Sequence, residues 1–245
     1  MVSAVFETEK ILVLQEQLGE WDNLNHLIVC KITSKAIIVD PFDGDFWIQI
    51  CQKNSWNLEQ VWLTHSHWDH SKGIDKLQDR EIWVHEKESE RGWDGPSNKI
   101  WSHEEFTYVT QNIGELCFEI HCTPGHTPGH VTIIGEGIVV SGDCLFLGRC
   151  GRTDLVGGNP NLQRDSLIYL RERLRNISQN WLVLPGHQYQ LSDGTNPTSI
   201  IVKEILSNNE ALQALDDDSA WNKLDFLAFE DSLSENAKRH RAMNS

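Results

Sequence analysis

Apolar and polar positions alternate with strand-like period over the first forty or so residues of the 245-residue chain. A short apolar run at 11–14 is followed by the polar break Gly19-Glu20-Trp21-Asp22-Asn23. Residues 27–32 and 36–39 then read as two strands around Thr33-Ser34-Lys35, with Asp40-Pro41 closing the second, so a β-hairpin is expected to open the fold. Phe46, Trp47, Ile50 and Cys51 recur at helical spacing and predict an amphipathic helix over 44–54. A strand at 60–63, a short helix through Ile74 and Leu77, and a strand at 81–85 complete an alternation that places helices outside a sheet.

Between Glu86 and His103 the pattern dissolves, which predicts a long loop of functional interest. Strands are expected at 106–109, 116–122, 131–134, 138–141 and, last, 181–184. Asn159-Pro160 reads as an N-cap with an N1 proline, opening a helix whose buried stripe is Leu167, Leu170, Leu174 and Ile177. A similar Asn196-Pro197 start predicts helix to about Leu215, and a final helix is expected at 234–241. Two strand-rich halves flanked by helices suggest an α/β fold with two sheets face to face between helical layers.

Composition narrows the partners. With 36 acidic and 21 basic residues the formal charge is −15, which repels nucleic acid and acidic membranes. Basic clusters at 171–175 and 238–241 are short and read as solvated faces. The six cysteines show no CxxC pair, and a chain of this length needs no disulfide framework. No signal peptide or membrane-length apolar run is visible, so the expected location is the cytoplasm. Oligomeric state is not legible.

The chemistry concentrates in Thr64-His65-Ser66-His67-Trp68-Asp69-His70, four metal-capable side chains directly after a strand. In extended chain His65 and His67 point the same way, and Asp69 and His70 turn away with the next helix, which offers two neighbouring sites. Cys122-Thr123-Pro124-Gly125-His126, Ser141-Gly142-Asp143 and Leu184-Pro185-Gly186-His187 repeat the plan of a ligand candidate just past a strand. Glycine permits close backbone approach there and proline fixes the exit. His26, His85, His103, His121, His130 and His240 read as ordinary structure.

In their order these motifs resemble the metallo-beta-lactamase fold superfamily from about residue 11 to about 210. The resemblance implies an αββα sandwich, with 1–210 as the metal-hydrolase domain and 211–245 as a short helical extension. It implies one metal on His65, His67 and His126, a second on Asp69, His70 and His187, and Asp143 bridging, with Asp69 and Asp143 taking part in catalysis. Two divalent ions are expected, zinc first and then iron or manganese, because His and Asp serve all three. Asp22-Asn23-Leu24-Asn25-His26, Gly142-Asp143-Cys144-Leu145-Phe146 and Gly186-His187-Gln188-Tyr189 are similar to the glyoxalase II branch, in which the position of Tyr189 contacts glutathione.

That resemblance implies a small-molecule thioester substrate, S-2-hydroxyacylglutathione. Gly151-Arg152-Thr153-Asp154, by contrast, stands where the branch has Lys-x-Tyr and looks more like persulfide dioxygenases and the short glyoxalase II variants. Arg152 either meets a glutathione carboxylate or pairs with Asp154. Trp68 and Asp22-Asn23 favour a hydrolase, and the 151–154 segment favours an iron dioxygenase using His65, His126 and Asp143. The shared metal loop would also suit a lactonase or a non-catalytic metal sensor.

Overall fold

The structure, a computed structural model, describes residues 2–224. Strands β1 (Ser3–Glu7), β2 (Ile11–Gln17), β3 (Leu24–Cys30) and β4 (Lys35–Val39) form an antiparallel meander. The hairpin read at Thr33-Ser34-Lys35 is β3–β4, but two strands precede it. The sequence pattern misses β1 because its apolar run is only Ala4-Val5-Phe6 and its residues are exposed or half-buried.

Helix α1 (Gly44–Lys53) begins where the Asp43 carboxylate accepts from the Phe46 amide at 3.0 Å. It buries Trp47 and Cys51. It leads to β5 (Asn57–Trp62), and β6 (Glu81–His85) and β7 (Lys99–Trp101) add in parallel to finish a seven-stranded sheet. Between β5 and β6 lie the one-turn α2 (Trp68–Ser71) and a 3-10 turn at Lys72–Lys76. The stretch read as a loop after His85 is partly regular: Glu86–Arg91 is a 3-10 turn and Lys99–Trp101 is β7.

The second sheet has the order β13-β12-β11-β10-β9-β8. Its strands are β8 (Tyr108–Ile113), β9 (Leu116–Cys122), β10 (Val131–Gly135), β11 (Ile138–Gly142), β12 (Leu182–Pro185) and β13 (Ile200–Ile201). Only β11 and β12 pair in parallel, joined through α3 (Pro160–Arg175). Asn159 caps α3 through its side-chain oxygen, as its sequence indicated. Asn196-Pro197 caps nothing: it precedes the edge strand β13, and helix resumes only at α4 (Val202–Asn208), α5 (Glu210–Ala214) and α6 (Asp218–Trp221). The helix expected at 234–241 and the basic cluster at 238–241 lie outside the described residues.

Three apolar layers follow from the alternation. Ile28, Ile37, Val39 and Trp62 of the first sheet meet Phe118, Ile120, Val131 and Val140 of the second. Trp47 and Cys51 of α1, with Ile74 and Leu77, cover the outer face of the first sheet through Ile38 and Val61. Leu167, Leu170 and Leu174 of α3 cover the outer face of the second, together with Val202, Leu212 and Trp221. The result is the expected αββα sandwich. Among the described residues no helix is long and apolar enough to cross a membrane, and all six cysteines are free thiols.

Candidate metal centre

Strands β4, β5, β9, β11 and β12 all point their C-terminal ends at one edge of the sandwich, where the backbone stops alternating and side chains converge. The two sheets are stitched there by backbone. Val131 donates to the Thr64 carbonyl at 2.7 Å, Leu24 to Gly186 at 2.8 Å and Gln188 to Asp22 at 3.0 Å. Two glycines are required by crowding. A Cβ on Gly186 would lie 2.3 Å from Asp143 Oδ1, and Gly142, at φ +50°, would meet Thr64 Oγ1 at 2.6 Å.

The structure brings His65, His67, Asp69, His70, His126, Asp143 and His187 to this edge in two adjoining groups. His65, His67 and His126 present donor atoms within 4.8 Å of one another, as do Asp69, His70 and His187. His67 Nδ1 lies 2.9 Å from His126 Nε2, and His70 Nε2 lies 3.0 Å from His187 Nε2. Asp69 Oδ2 is 3.3 Å from His187 Nε2 and 3.5 Å from His70 Nε2. Asp143 reaches both groups: its Oδ2 is 3.5 Å from His126 Nε2 and 3.3 Å from His187 Nε2, and its Oδ1 is 3.4 Å from His70 Nε2.

Those spacings fit metal ligands. Donors about 2.0–2.1 Å from one ion stand roughly 3.4 Å apart in a tetrahedron and roughly 3.0 Å apart in an octahedron. His65 Nε2 and Asp143 Oδ1 are also buried with no hydrogen-bond partner, a cost a protein seldom bears without a ligand to meet it.

Outer contacts set the direction of each ring. His126 Nδ1 donates to the Arg152 carbonyl and His187 Nδ1 to the Trp21 carbonyl, both at 2.7 Å. His70 Nδ1 donates to Asp40 Oδ2 at 3.0 Å. The Thr64 hydroxyl donates to Asp40 at 2.6 Å and therefore accepts from His65 Nδ1 at 3.0 Å, which leaves His65 Nε2 as a lone pair. Asn23 Nδ2 donates to Asp69 Oδ2 at 2.8 Å. Asp40, His65 and His70 also bring donor atoms together. Asp40, however, already accepts from the Thr64 amide and hydroxyl and from His70, so it supports the centre from outside.

Charge points the same way. Burial drives His65 and His67 well below the usual imidazole range, and neighbouring imidazoles reinforce the shift. Burial also opposes charge on His70, yet Asp143 and Asp69 beside it overcome this and raise it to about 10. His187 rises for the same reason, with Asp143 foremost. Burial alone would raise Asp143, but the charges of His187 and His70 hold it well below the carboxylate range. The two carboxylates thus draw positive charge into a buried pocket, a demand that divalent cations meet directly.

Three supports carried no signal of their own in the sequence. Asp40 looked like a strand terminator. His130, read as ordinary structure, stacks on His65 with centroids 5.3 Å apart. Its Nε2 accepts from the Asp143 and Cys144 amides at 3.1 and 3.2 Å, fixing the turn that presents Asp143. Glu88 lies in a run of charges that resembled solvated loop.

The two residues expected to meet substrate flank the centre. Tyr189 sits with its ring 6.1 Å from His187 and 4.8 Å from Phe146, and the Arg149 guanidinium lies 4.0 Å above it. A cleft of about 710 Å³ opens beside it, lined in part by Leu147, Arg149, Leu191, Asp193 and Glu204. Arg152 forks onto Asp154, with Nε and Nη2 each 2.5 Å from a carboxylate oxygen. On the opposite side Trp68 is 48 % exposed and packs edge-on against Trp21 and Phe42, each at 5.8 Å.

Residues 21–187 match the family model described as the metallo-beta-lactamase superfamily. Among solved structures, ETHE1 from Myxococcus xanthus is 24 % identical over 84 % of this chain and 90 % of its own, with a TM-score of 0.65. The BLEG-1 B3 metallo-beta-lactamase is 25 % identical over 81 % and 98 %, with a TM-score of 0.66. TTHA1623, solved in a di-iron-bound form, is 24 % identical over 80 % and 98 %, with a TM-score of 0.60.

Proposed function

This chain belongs to the metallo-beta-lactamase superfamily, and from that premise we propose that it is a metal-dependent thioesterase of the glyoxalase II type, cleaving S-2-hydroxyacylglutathione to a hydroxy acid and glutathione. The observation that carries the reading is the placement of Asp143 between two complete donor groups, within 3.5 Å of His126 on one side and within 3.4 Å of His70 and His187 on the other. We assign His65, His67 and His126 to one ion and Asp69, His70 and His187 to the other, with Asp143 shared. When bound, divalent ions supply hydroxide at neutral pH and polarise the carbonyl under attack.

The chain's own residues do the rest. Asn23 fixes Asp69, whose carboxylate would orient the attacking hydroxide by accepting a hydrogen bond from it. Arg91 lies close enough to depress His67 through its charge, Arg149 covers Tyr189, and the Arg152 backbone holds His126. Arg91 and Arg149, cations on the loops around the centre of a chain whose net charge is −15, favour an anionic substrate such as a glutathione conjugate, whereas the Arg152 charge is met by Asp154. Tyr189 and the cleft beside it offer the glutathione arm a place, while Trp68, Trp21 and Phe42 wall the opposite side against water.

A second reading, an iron-dependent persulfide dioxygenase, is favoured by the segment at Gly151. A Cβ there would lie 1.9 Å from the Asp143 carbonyl oxygen, and Arg152 is paired to Asp154. The segment is therefore a wall of the metal loop and lacks the extended Lys-x-Tyr arm of the hydrolase branch. Metal content per chain, measured with S-D-lactoylglutathione hydrolysis and with oxygen uptake on glutathione persulfide, separates the two. Two metals with thioester turnover support the hydrolase. One iron with oxygen uptake and no thioester turnover overturns it.

A further inference from the structure

Glu88 is fully buried and belongs to neither donor group. It is carried on the 3-10 turn Glu86–Arg91, which starts with the His85 ring accepting from the Lys87 amide at 3.3 Å and ends at Gly92 with φ +85°. Its two carboxylate oxygens serve different loops. Oε2 accepts from both the amide of Ser66, at 2.8 Å, and the Ser66 hydroxyl. Oε1 accepts from the Gly129 amide at 2.8 Å. Ser66 stands between His65 and His67, and Gly129 follows His126 by three residues.

A buried carboxylate costs several kcal/mol unless it is well paired. This one has three donors and, across the Ser66 hydroxyl, a cation: Arg91 Nη1 donates to Ser66 Oγ at 2.9 Å. An apolar side chain would fill the space between the loops more cheaply, so the charge is kept for what it holds. It holds the loop of His65 and His67 against the loop of His126. Packing there is tight enough that a Cβ on Gly129 would lie 2.7 Å from the Glu88 amide nitrogen.

We propose that Glu88 is the positioning residue of the three-histidine half of the centre: one carboxylate, with an oxygen on each ligand loop, sets the spacing at which His65, His67 and His126 meet. The proposal rests on the reading that these histidines hold a metal. Its specificity is the testable part. None of the Glu88 contacts reaches Asp69, His70 or His187, so its loss acts on one group and spares the other.

The experiment is cobalt(II) binding to the full chain in chelator-buffered solution, followed by visible absorption, in two backgrounds. His187→Ala leaves the three-histidine group, and His126→Ala leaves the Asp69–His70–His187 group. Glu88→Gln turns one acceptor into a donor that faces either the Ser66 or the Gly129 amide. In the His187→Ala background it is expected to weaken cobalt binding about 10- to 100-fold, the range typical of lost outer-shell partners, and to alter the absorption band. In the His126→Ala background affinity is expected to stay within about threefold.

Parent-like affinity and absorption after Glu88→Gln in the first background overturn the inference while the metal assignment stands. Equal losses in both backgrounds overturn it as well, because they mark a general structural defect. Absence of cobalt binding in His187→Ala itself overturns the metal assignment, and the inference with it. Should Glu88→Gln fail to fold, Ser66→Ala removes only the hydroxyl, with its contacts to Glu88 and Arg91, and leaves the Ser66 amide on Glu88. A severalfold loss confined to the three-histidine group then supports the proposal, and an unchanged affinity overturns it.

Discussion

Asp40→Asn isolates the contribution of a single outer contact. Asp40 sits at φ +50°, a left-handed conformation that asparagine tolerates as well as aspartate does. The backbone is therefore undisturbed and only one oxygen becomes an amide nitrogen. The carboxylate accepts from the Thr64 amide at 2.7 Å on Oδ1, and from the Thr64 hydroxyl at 2.6 Å and His70 Nδ1 at 3.0 Å on Oδ2. Either orientation of the new amide sets a donor against a donor. If the nitrogen takes the Oδ2 position, His70 must accept on Nδ1 and carry its proton on Nε2, the atom that faces His187. Thr64 is then free to donate to His65 Nδ1, which moves the proton of His65 inward as well. The lost charge-assisted contact is worth about 1.5–3 kcal/mol. That agrees with a loss of 10- to 100-fold in metal affinity, about 1.4–2.7 kcal/mol. The expected result is a loss of that size at the Asp69–His70–His187 group and a smaller one at the three-histidine group, read by chelator-competition titration with circular dichroism to confirm the fold. Parent affinity at both groups would refute the tautomer argument.

Other substitutions test other parts of the centre. Gly186→Ala places a methyl group 2.3 Å from Asp143 Oδ1, so metal content measured by elemental analysis is expected to fall at both groups in a protein that still folds. Asp143→Ala is expected to strip both groups, whereas His187→Ala empties chiefly one; equal loss in both variants would count against a shared Asp143. His26 is buried and held neutral by burial and by the charge of His70, with its pKa lowered to about 3. Between pH 6.5 and 3 the unfolded chain binds a proton there that the folded chain does not, so stability falls as pH drops, by up to about 1.4 kcal/mol per pH unit. Urea unfolding across that window is expected to show a shallower pH slope for His26→Gln, and an unchanged slope would sink the argument.

Much of this centre was legible because its inner residues violate packing logic. His65, His67, Asp69 and His70 follow an apolar strand without joining either sheet face, and His126, Asp143 and His187 repeat the device beside glycine and proline. The outer residues obey local rules and so stay hidden. Asp40 before Pro41 is a good strand terminator, His130 is one more histidine in a β-rich stretch, and Glu88 stands in a run of charges that would suit open solvent. Their roles come from segments remote in sequence: Thr64 for Asp40, the Asp143 turn for His130, Ser66 and Gly129 for Glu88. Local patterning misleads at Asn196-Pro197 for a related reason. The backbone there is engaged from afar, with Gln15 donating to the Thr198 carbonyl at 3.2 Å, and the chain goes on to pair as β13 before any helix begins.

Ligands drawn from both sheets also set an order of events. His65, His67, Asp69 and His70 leave the first sheet, and His126, Asp143 and His187 leave the second, so neither half-sandwich carries a complete donor group by itself. Docking of the sheets must therefore come before tight metal capture during folding. The centre therefore works as a late lock on assembly: metal is expected to slow unfolding far more than it speeds folding.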